Sequence, residues 1–324
     1  VVLEEIDKST FEAGLKAMAL GPERCRTLPI ETGGSLTVLR RRLAVNQVMK
    51  QPVWAETGSE KGRLMAAAAL LGTWDKRADA DTLAAVSGME TEAVERCWGQ
   101  LRLLEDTPVW EIGGVRGVTS KMDVFFAAAA NADEAMLRRF YDRVVTVFSE
   151  KDPAWGLTVE EKWQRSYEVH DRPQFSDVLR RGLADTLAFL SVFGKTLFGY
   201  WSDFDGGKEA AAVIRRILVP MSAERWETNN RWLPFFAEAA PEFFLALCED
   251  DVRQSASVLK QMMRPAENAF FAPCPRSGLL WALEGAAWEK TTFARAVLIL
   301  AQLDKWATED HYGNTPRHSL QGLF

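Results

Sequence analysis

Histidine is scarce in this chain, three residues in 324, and that scarcity removes much of the usual catalytic repertoire. His311 and His318 stand seven residues apart in a segment broken by Gly313 and Pro316, with no cysteine nearby, so the spacing of a zinc site is missing. A serine or cysteine nucleophile needs a base partner, and only His170, His311 and His318 are there to supply an imidazole. No catalytic residue and no metal ligand is assigned. Cysteine is equally sparse. Cys25, Cys97, Cys248 and Cys274 are scattered, with no CxxC pair and no compact disulfide framework, which fits reduced thiols in a cytosol. Long apolar runs are missing too: Leu64–Leu71 and Val124–Ala130 are short and alanine-rich, far below the roughly 18 residues of a membrane span. The opening VVLEEIDKST is acidic and mixed, unlike a signal or transit peptide. Positive charge is also lacking: the net charge of −6 argues against nonspecific binding to nucleic acid or an anionic membrane. A cytoplasmic protein with neither partner is expected.

What is present is helical periodicity. The expected fold is mainly α: a small helical segment over residues 1–60, a winged-helix domain with one β-hairpin over 61–120, and a solenoid-like helical array over 121–324. Phe11, Leu15 and Met18 fall at i, i+4, i+7 and predict a buried stripe. A turn at Gly21-Pro22 follows. Ser35 is placed to cap a helix carrying Leu36, Leu39 and Leu43, which Gln51-Pro52 stops. In the middle region, helices at Leu64–Leu71 and near Asp81–Val86 precede a third that Thr91 caps, with Val94, Cys97, Trp98 and Leu101 on one face. Two β-rich runs around Gly113-Gly114 then read as a hairpin. Three short helices and a hairpin form the winged-helix pattern. Beyond Lys121 the reading is helix throughout. Leu179, Leu183, Leu187 and Leu190 line one face of Val178–Val192, and Trp232–Ala240, Pro241–Cys248, Leu279–Trp288 and Thr291–Leu303 suggest stacked pairs without a strict repeat. The chain starts at Val1 and stops in SLQGLF as an apolar pattern resumes, which suggests a piece trimmed from a longer protein.

Several motifs invite a chemical reading and fail at a nameable position. Gly194-Lys195-Thr196 imitates the end of a P-loop, but the first glycine of GxxxxGK[ST] is replaced by Phe189, and the preceding segment reads as helix. Asp203-Phe204-Asp205-Gly206-Gly207-Lys208 resembles the start of a calcium loop, yet Lys208 and Ile214 stand where glycine and glutamate are required. The third helix of the winged-helix pattern carries Glu90, Glu92 and Glu95 against Arg96, which would repel a phosphate backbone and favours protein contact over DNA.

Two sites survive as candidates. Gly33, Gly34 and Ser35 precede a helix and could cradle a phosphate through free amides, with Arg40, Arg41 and Arg42 following; the alternative is a capped helix with a solvated basic face. Glu284 shares a helical face with Trp281 and Trp288, so a buried charge is expected, paired with Arg276 or Arg317 as a structural ion pair.

Taken in order, GGSLTVLRRRL, LMAAAALLGTWDKRADADTLAAVSGM, FSDVLRRGLADTLAFL, LPFFAEAAPEFFLALC and GLLWALEGAAWEKTTFARAVLILAQLD with NTPRHSLQGLF resemble the region after the nucleotide-binding domain in bacterial STAND-type P-loop NTPases, many tied to antiviral defence. The resemblance covers most of the chain and rests on structural rather than catalytic motifs. It implies that Thr32–Arg42 lie in a helical lid near nucleotide, that 62–120 is a winged helix, and that 121–324 begins a sensor array. It also implies an ATPase core before Val1 using ATP and magnesium, with that core and a protein trigger as partners. No P-loop and no Walker B strand occur here, so the segment itself is expected to be non-catalytic. The rival expectations are a winged-helix transcription regulator with a helical ligand-binding domain, and a plain helical scaffold.

Overall fold

A computed structural model describes residues 7–153, 155–158, 161, 173–198, 204–265, 274–308 and 313–324. The chain is mainly helical, with one small three-stranded antiparallel sheet among the described residues. It divides into two compact units: Val1–Arg139 with Thr196–Phe198, and Phe140–Lys195 with Gly199–Phe324.

The first unit opens with α1 (Lys8–Ala17), capped by Asp7, whose carboxylate accepts the Thr10 amide at 3.0 Å. Helix α2 (Pro22–Glu31) starts on Pro22, where the missing N–H costs nothing, and α3 (Leu36–Leu43) starts on Ser35 as expected. Phe11, Leu15, Cys25, Leu28 and Leu39 close a small core between them. Met18 does not join it: α1 ends at Ala17, the stripe loses its last turn, and Met18 is left 55% exposed. Leu36, in the first turn of α3, is likewise exposed.

After α4 (Gln47–Lys50), helix α5 (Glu60–Leu71) forms the centre of the unit, with Leu64 to Leu71 buried on every side. A helix apolar all round must be surrounded. Here α6 (Arg77–Ser87), α7 (Thr91–Arg102) and α8 (Lys121–Ala128) surround it. Glu90, rather than Thr91, occupies the cap of α7, and its side chain makes no cap bond. The sheet runs β1 (Thr73–Trp74), β3 (Val115–Val118), β2 (Val109–Ile112), with Ile112 opposite Val115 across the turn. Gly113 and Gly114 both take positive φ, 59° and 90°, as a type I′ hairpin turn demands. Strand β1 escapes the sequence reading because two residues carry no alternation. It is held by pairing to β3 and by Trp74, which meets Trp98 of α7 edge-on at 5.0 Å. Within this unit, helix α8 packs on α5 and on α3 and so ties the opening helices to the sheet-bearing part.

The second unit takes α9 (Glu134–Phe148) from Phe140 onward and contains α10 (Asp177–Phe198) up to Lys195. Leu179, Leu183, Leu187 and Leu190 are all buried, as their spacing predicts. Then come α11 (Gly206–Leu218), α12 (Ala223–Thr228), α13 (Leu233–Ala239), α14 (Pro241–Val252), α15 (Val258–Met262), α16 (Ser277–Ala287), α17 (Phe293–Asp304) and α18 (Pro316–Gly322). They pack as neighbours, α13 on α14 and α16, α17 on α14, α16 and α18. Buried Asp251, at the end of α14, accepts the Ser257 hydroxyl at 2.6 Å and the Val258 and Leu259 amides at 3.0 and 2.9 Å, so one carboxylate sets the start of α15.

Candidate functional site

The proposed phosphate cradle is already occupied by the chain itself. Gly33 and Gly34 are in the left-handed region at φ 58° and 72°, which curls the backbone back over the end of α2. The Gly33 amide donates to Ile30 O, the Gly34 amide to Pro29 O at 3.0 Å, and the Ser35 amide to Thr32 O at 3.0 Å. These three amides are therefore spent on carbonyls at the end of α2. Ser35 Oγ accepts the Val38 amide.

The arginines divide. Arg40 and Arg42 are exposed on α3. Arg41 turns inward and forms a two-pronged pair with Asp123 of α8, Nε to Oδ1 at 2.5 Å and Nη2 to Oδ2 at 2.8 Å, while Nη1 donates to Met49 O. The guanidinium lies 5.3 Å from the Trp54 ring. Hydrogen bonding to Asp123 raises the Arg41 pKa further above its ordinary range. A guanidinium clasped in this way holds α3 to α8 and has little left to offer a nucleotide. Of the expected nucleotide-proximal group, Gly33, Gly34, Ser35 and Arg41 are thus engaged within the fold, and Arg40 is exposed.

Glu284 is corrected as well. The face of α16 that it shares with Trp281 and Trp288 points to solvent: the two rings are 51% and 80% exposed and Glu284 is half-buried. Its expected partners are engaged elsewhere. Arg276 is fully buried and donates to Asn314 O at 2.8 Å and Arg264 O at 3.3 Å, and Arg317 pairs with Asp304 at 3.3 Å. The three residues do share a face, but it is the outer one, because Leu279, Leu280, Ala282 and Leu283 form the buried apolar face.

The remaining motifs settle locally. Gly194-Lys195-Thr196 lies inside α10. Asp205 caps α11 by accepting the Lys208 amide at 3.1 Å, a bond that holds its carboxyl below the usual range; Asp203 lies outside the described residues. His170 and His311 are also outside them, and His318 is exposed on α18. Among the described residues no cluster of His, Cys, Asp or Glu could hold a metal ion, and no helix is long and apolar enough to cross a membrane.

On α7 and the hairpin, every arginine faces a carboxylate of the same unit. Arg116 of β3 pairs with Glu95 at 2.6 Å and Glu111 at 3.3 Å, Arg102 with Glu111 at 3.0 Å, and Arg96 with Glu60 at 3.0 Å. The Trp98 indole also donates to Glu111 at 3.1 Å, and this bond, followed by the two arginines, depresses that carboxyl's pKa. Six carboxylates stand against three arginines between Glu90 and Val118. Leu103 at the end of α7 and Ile112 beside the hairpin turn are 87% and 73% exposed.

Sequence reasoning missed a cleft of about 270 Å³ in the second unit, lined by Phe148, Glu150, Lys151, Ile217, Glu224, Arg225, Thr228 and Asn229 together with Ser149. Glu150 is anchored at its edge by Arg180 and by the Gln174 amide. Asn229 is 2% exposed. Its Nδ2 donates to Phe148 O at 3.1 Å and Arg225 O at 2.9 Å, while among the described residues its Oδ1 and Thr228 Oγ1, both sealed from solvent, have no partner. The chain matches no protein-family model, no curated protein and no solved structure.

Proposed function

We propose that the chain is a non-catalytic regulatory and sensing segment of a STAND-like P-loop NTPase, working in the cytoplasm through contacts with protein. The observation that carries the reading is the electrostatics of α7 and the hairpin. A winged helix that reads DNA needs uncommitted arginine or lysine on its third helix and wing. Here three arginines are neutralised within the unit, carboxylates are in excess, and aliphatic side chains are exposed in their place. The order α5, β1, α6, α7, β2, β3, with β3 central, supports a winged helix, and the neighbour-on-neighbour packing of α13 to α18 supports a solenoid-like sensor array.

In this reading the winged helix holds an ATPase core inactive, and release follows when the helical array engages a trigger. In this reading ATP and magnesium are held by the core, and Arg41, clasped by Asp123, serves to hold α3 to α8. The coding sequence upstream of Val1 gives the first test: a Walker A motif within a few hundred residues supports the reading, and a natural start codon at that point removes it. In the encoded full-length protein, Leu103→Asp with Ile112→Asp should raise basal ATP hydrolysis roughly fivefold or more, the low end of ordinary allosteric coupling. Unchanged hydrolysis would count against autoinhibition through this face.

A further inference from the structure

The geometry points to the outer face of α16 as a docking surface for an extended, arginine-bearing peptide segment of a partner protein. This inference stands on α16 and its neighbours and does not depend on the NTPase reading.

Tryptophan is costly to leave in water, and α16 leaves two on one line. Trp281 and Trp288 are seven residues apart, just under two turns, and Trp288 keeps helical backbone angles (φ −76°, ψ −17°), so the rings stand on the same side about 10 Å apart along the axis. They are 51% and 80% exposed. Between them the helix is low: Gly285 is exposed, and a side chain built on it would meet nothing within 4 Å. The face is therefore two indole walls with bare backbone between them. Glu284 runs along its edge, three residues after Trp281 and four before Trp288, the spacing at which helical side chains are neighbours.

Charge decides what covers it. Glu284 has neither a cation nor a hydrogen-bond donor among the described residues. The nearest basic group on α17, Arg295, is spent on Glu242 and on Glu249, the latter at 2.7 Å. Lys290, just past α16, is matched in charge by the adjacent Glu289. The last turn of α16 holds no basic residue, so the negative end of its dipole is also unmet. Between Leu233 and Asp304 nine carboxylates stand against six arginines and lysines. A guanidinium paired with Glu284 lies beside one indole or the other and gains the attraction of the ring face as well as the ion pair. Apolar residues flanking that arginine cover the remaining ring.

Area and charge both disfavour a second copy as the occupant. The two rings together present roughly 300 Å², well under the roughly 1,000 Å² of a stable complex. A two-fold pairing of this face would also set Glu284 near its own copy, like charge against like. A short segment bound weakly fits the surface better.

The test pans a phage-displayed library of random dodecapeptides against the whole chain and measures the enriched peptides, synthesised and labelled, by fluorescence anisotropy. Enriched peptides should carry arginine beside apolar residues and bind with a Kd of about 10–100 µM. Methionine in place of the peptide's arginines should weaken binding about fivefold or more, and so should Glu284→Gln or Trp288→Ala in the protein. Both variants sit outside the core, so their melting temperatures should match the parent's. Glu134→Gln removes an exposed carboxylate of the first unit and should change binding by less than about twofold, which separates this face from the chain's overall negative charge. Three results overturn the proposal: no peptide enriched over a blank surface, enriched peptides without basic residues, or unchanged affinity in either Glu284→Gln or Trp288→Ala. Self-association of the whole chain that is lost in Trp288→Ala would also overturn it, by assigning the face to a second copy.

Discussion

Arg41→Met removes a guanidinium and keeps most of its aliphatic stem, so the packing beside Trp54 survives while the charge is lost. What remains is Asp123, with a side chain only 7% exposed, facing a hole where two charge-assisted hydrogen bonds of 2.5 and 2.8 Å had been. Removing one partner of a buried pair costs about 3–5 kcal/mol. The Arg41 side chain is itself 16% exposed, and water can reach part of the vacated space, so the lower end applies, about 3 kcal/mol. The second variant, Asp123→Ala, strands the arginine instead, and the double variant strands neither. The double variant should therefore be more stable than the sum of the singles predicts, by about 2 kcal/mol of coupling. Because the chain has two compact units, global unfolding need not be two-state, and the loss is best read locally. Native-state hydrogen exchange over α8, Lys121–Ala128, reports it directly. If Arg41→Met changes protection there by less than about 0.5 kcal/mol, the guanidinium does not hold α3 to α8 and is free for another ligand.

Asp251→Ala leaves one hydroxyl and two amides at the start of α15 without their acceptor, and should cost about 3 kcal/mol in urea unfolding of the second unit. Glu284→Ala should fall within about 0.5 kcal/mol of the parent, while Arg276→Met, which empties a fully buried position, should cost more than about 2 kcal/mol. Equal effects would restore the buried-Glu284 reading. Burial pushes the Cys97 and Cys248 thiols above their ordinary value of 9.0. Below pH 9 folded and unfolded chains both hold these protons. Above it the unfolded chain releases them and the folded chain does not, so stability should fall as pH rises from about 9. Neither thiol should react with a disulfide reagent in native protein at pH 8, a rate that a simple absorbance assay follows.

Much of this architecture was legible because burial is written into spacing. The Leu179, Leu183, Leu187, Leu190 stripe and the Val94, Cys97, Trp98, Leu101 face each gave one helix with the correct inner side. Legibility ended where the outcome depends on a partner distant in sequence. Arg40, Arg41 and Arg42 look alike in order, and only the approach of Asp123, 82 positions away, draws the middle one inward. Gly33 and Gly34 suit a phosphate loop and a helix C-terminus equally well, since both need positive φ. The carbonyls of Pro29 and Ile30 decide between them. At Glu284, two large tryptophans mark one face of the helix in sequence, while Leu279, Leu280, Ala282 and Leu283 take the core. The cleft did leave a trace. Thr228, Asn229 and Asn230 lie between Trp226 and Trp232, both buried, and a polar run between two core tryptophans signals polar groups carried inside the fold.

The central claim is that this chain acts through protein contacts rather than nucleic acid, and fluorescence anisotropy with a labelled random-sequence duplex at low salt tests it most directly. With every arginine of α7 and the hairpin already paired, the account predicts no saturable binding below micromolar concentrations and no salt-dependent slope. Sub-micromolar binding that weakens steeply with added salt, and that is lost on Arg96→Ala or Arg116→Ala, would contradict it.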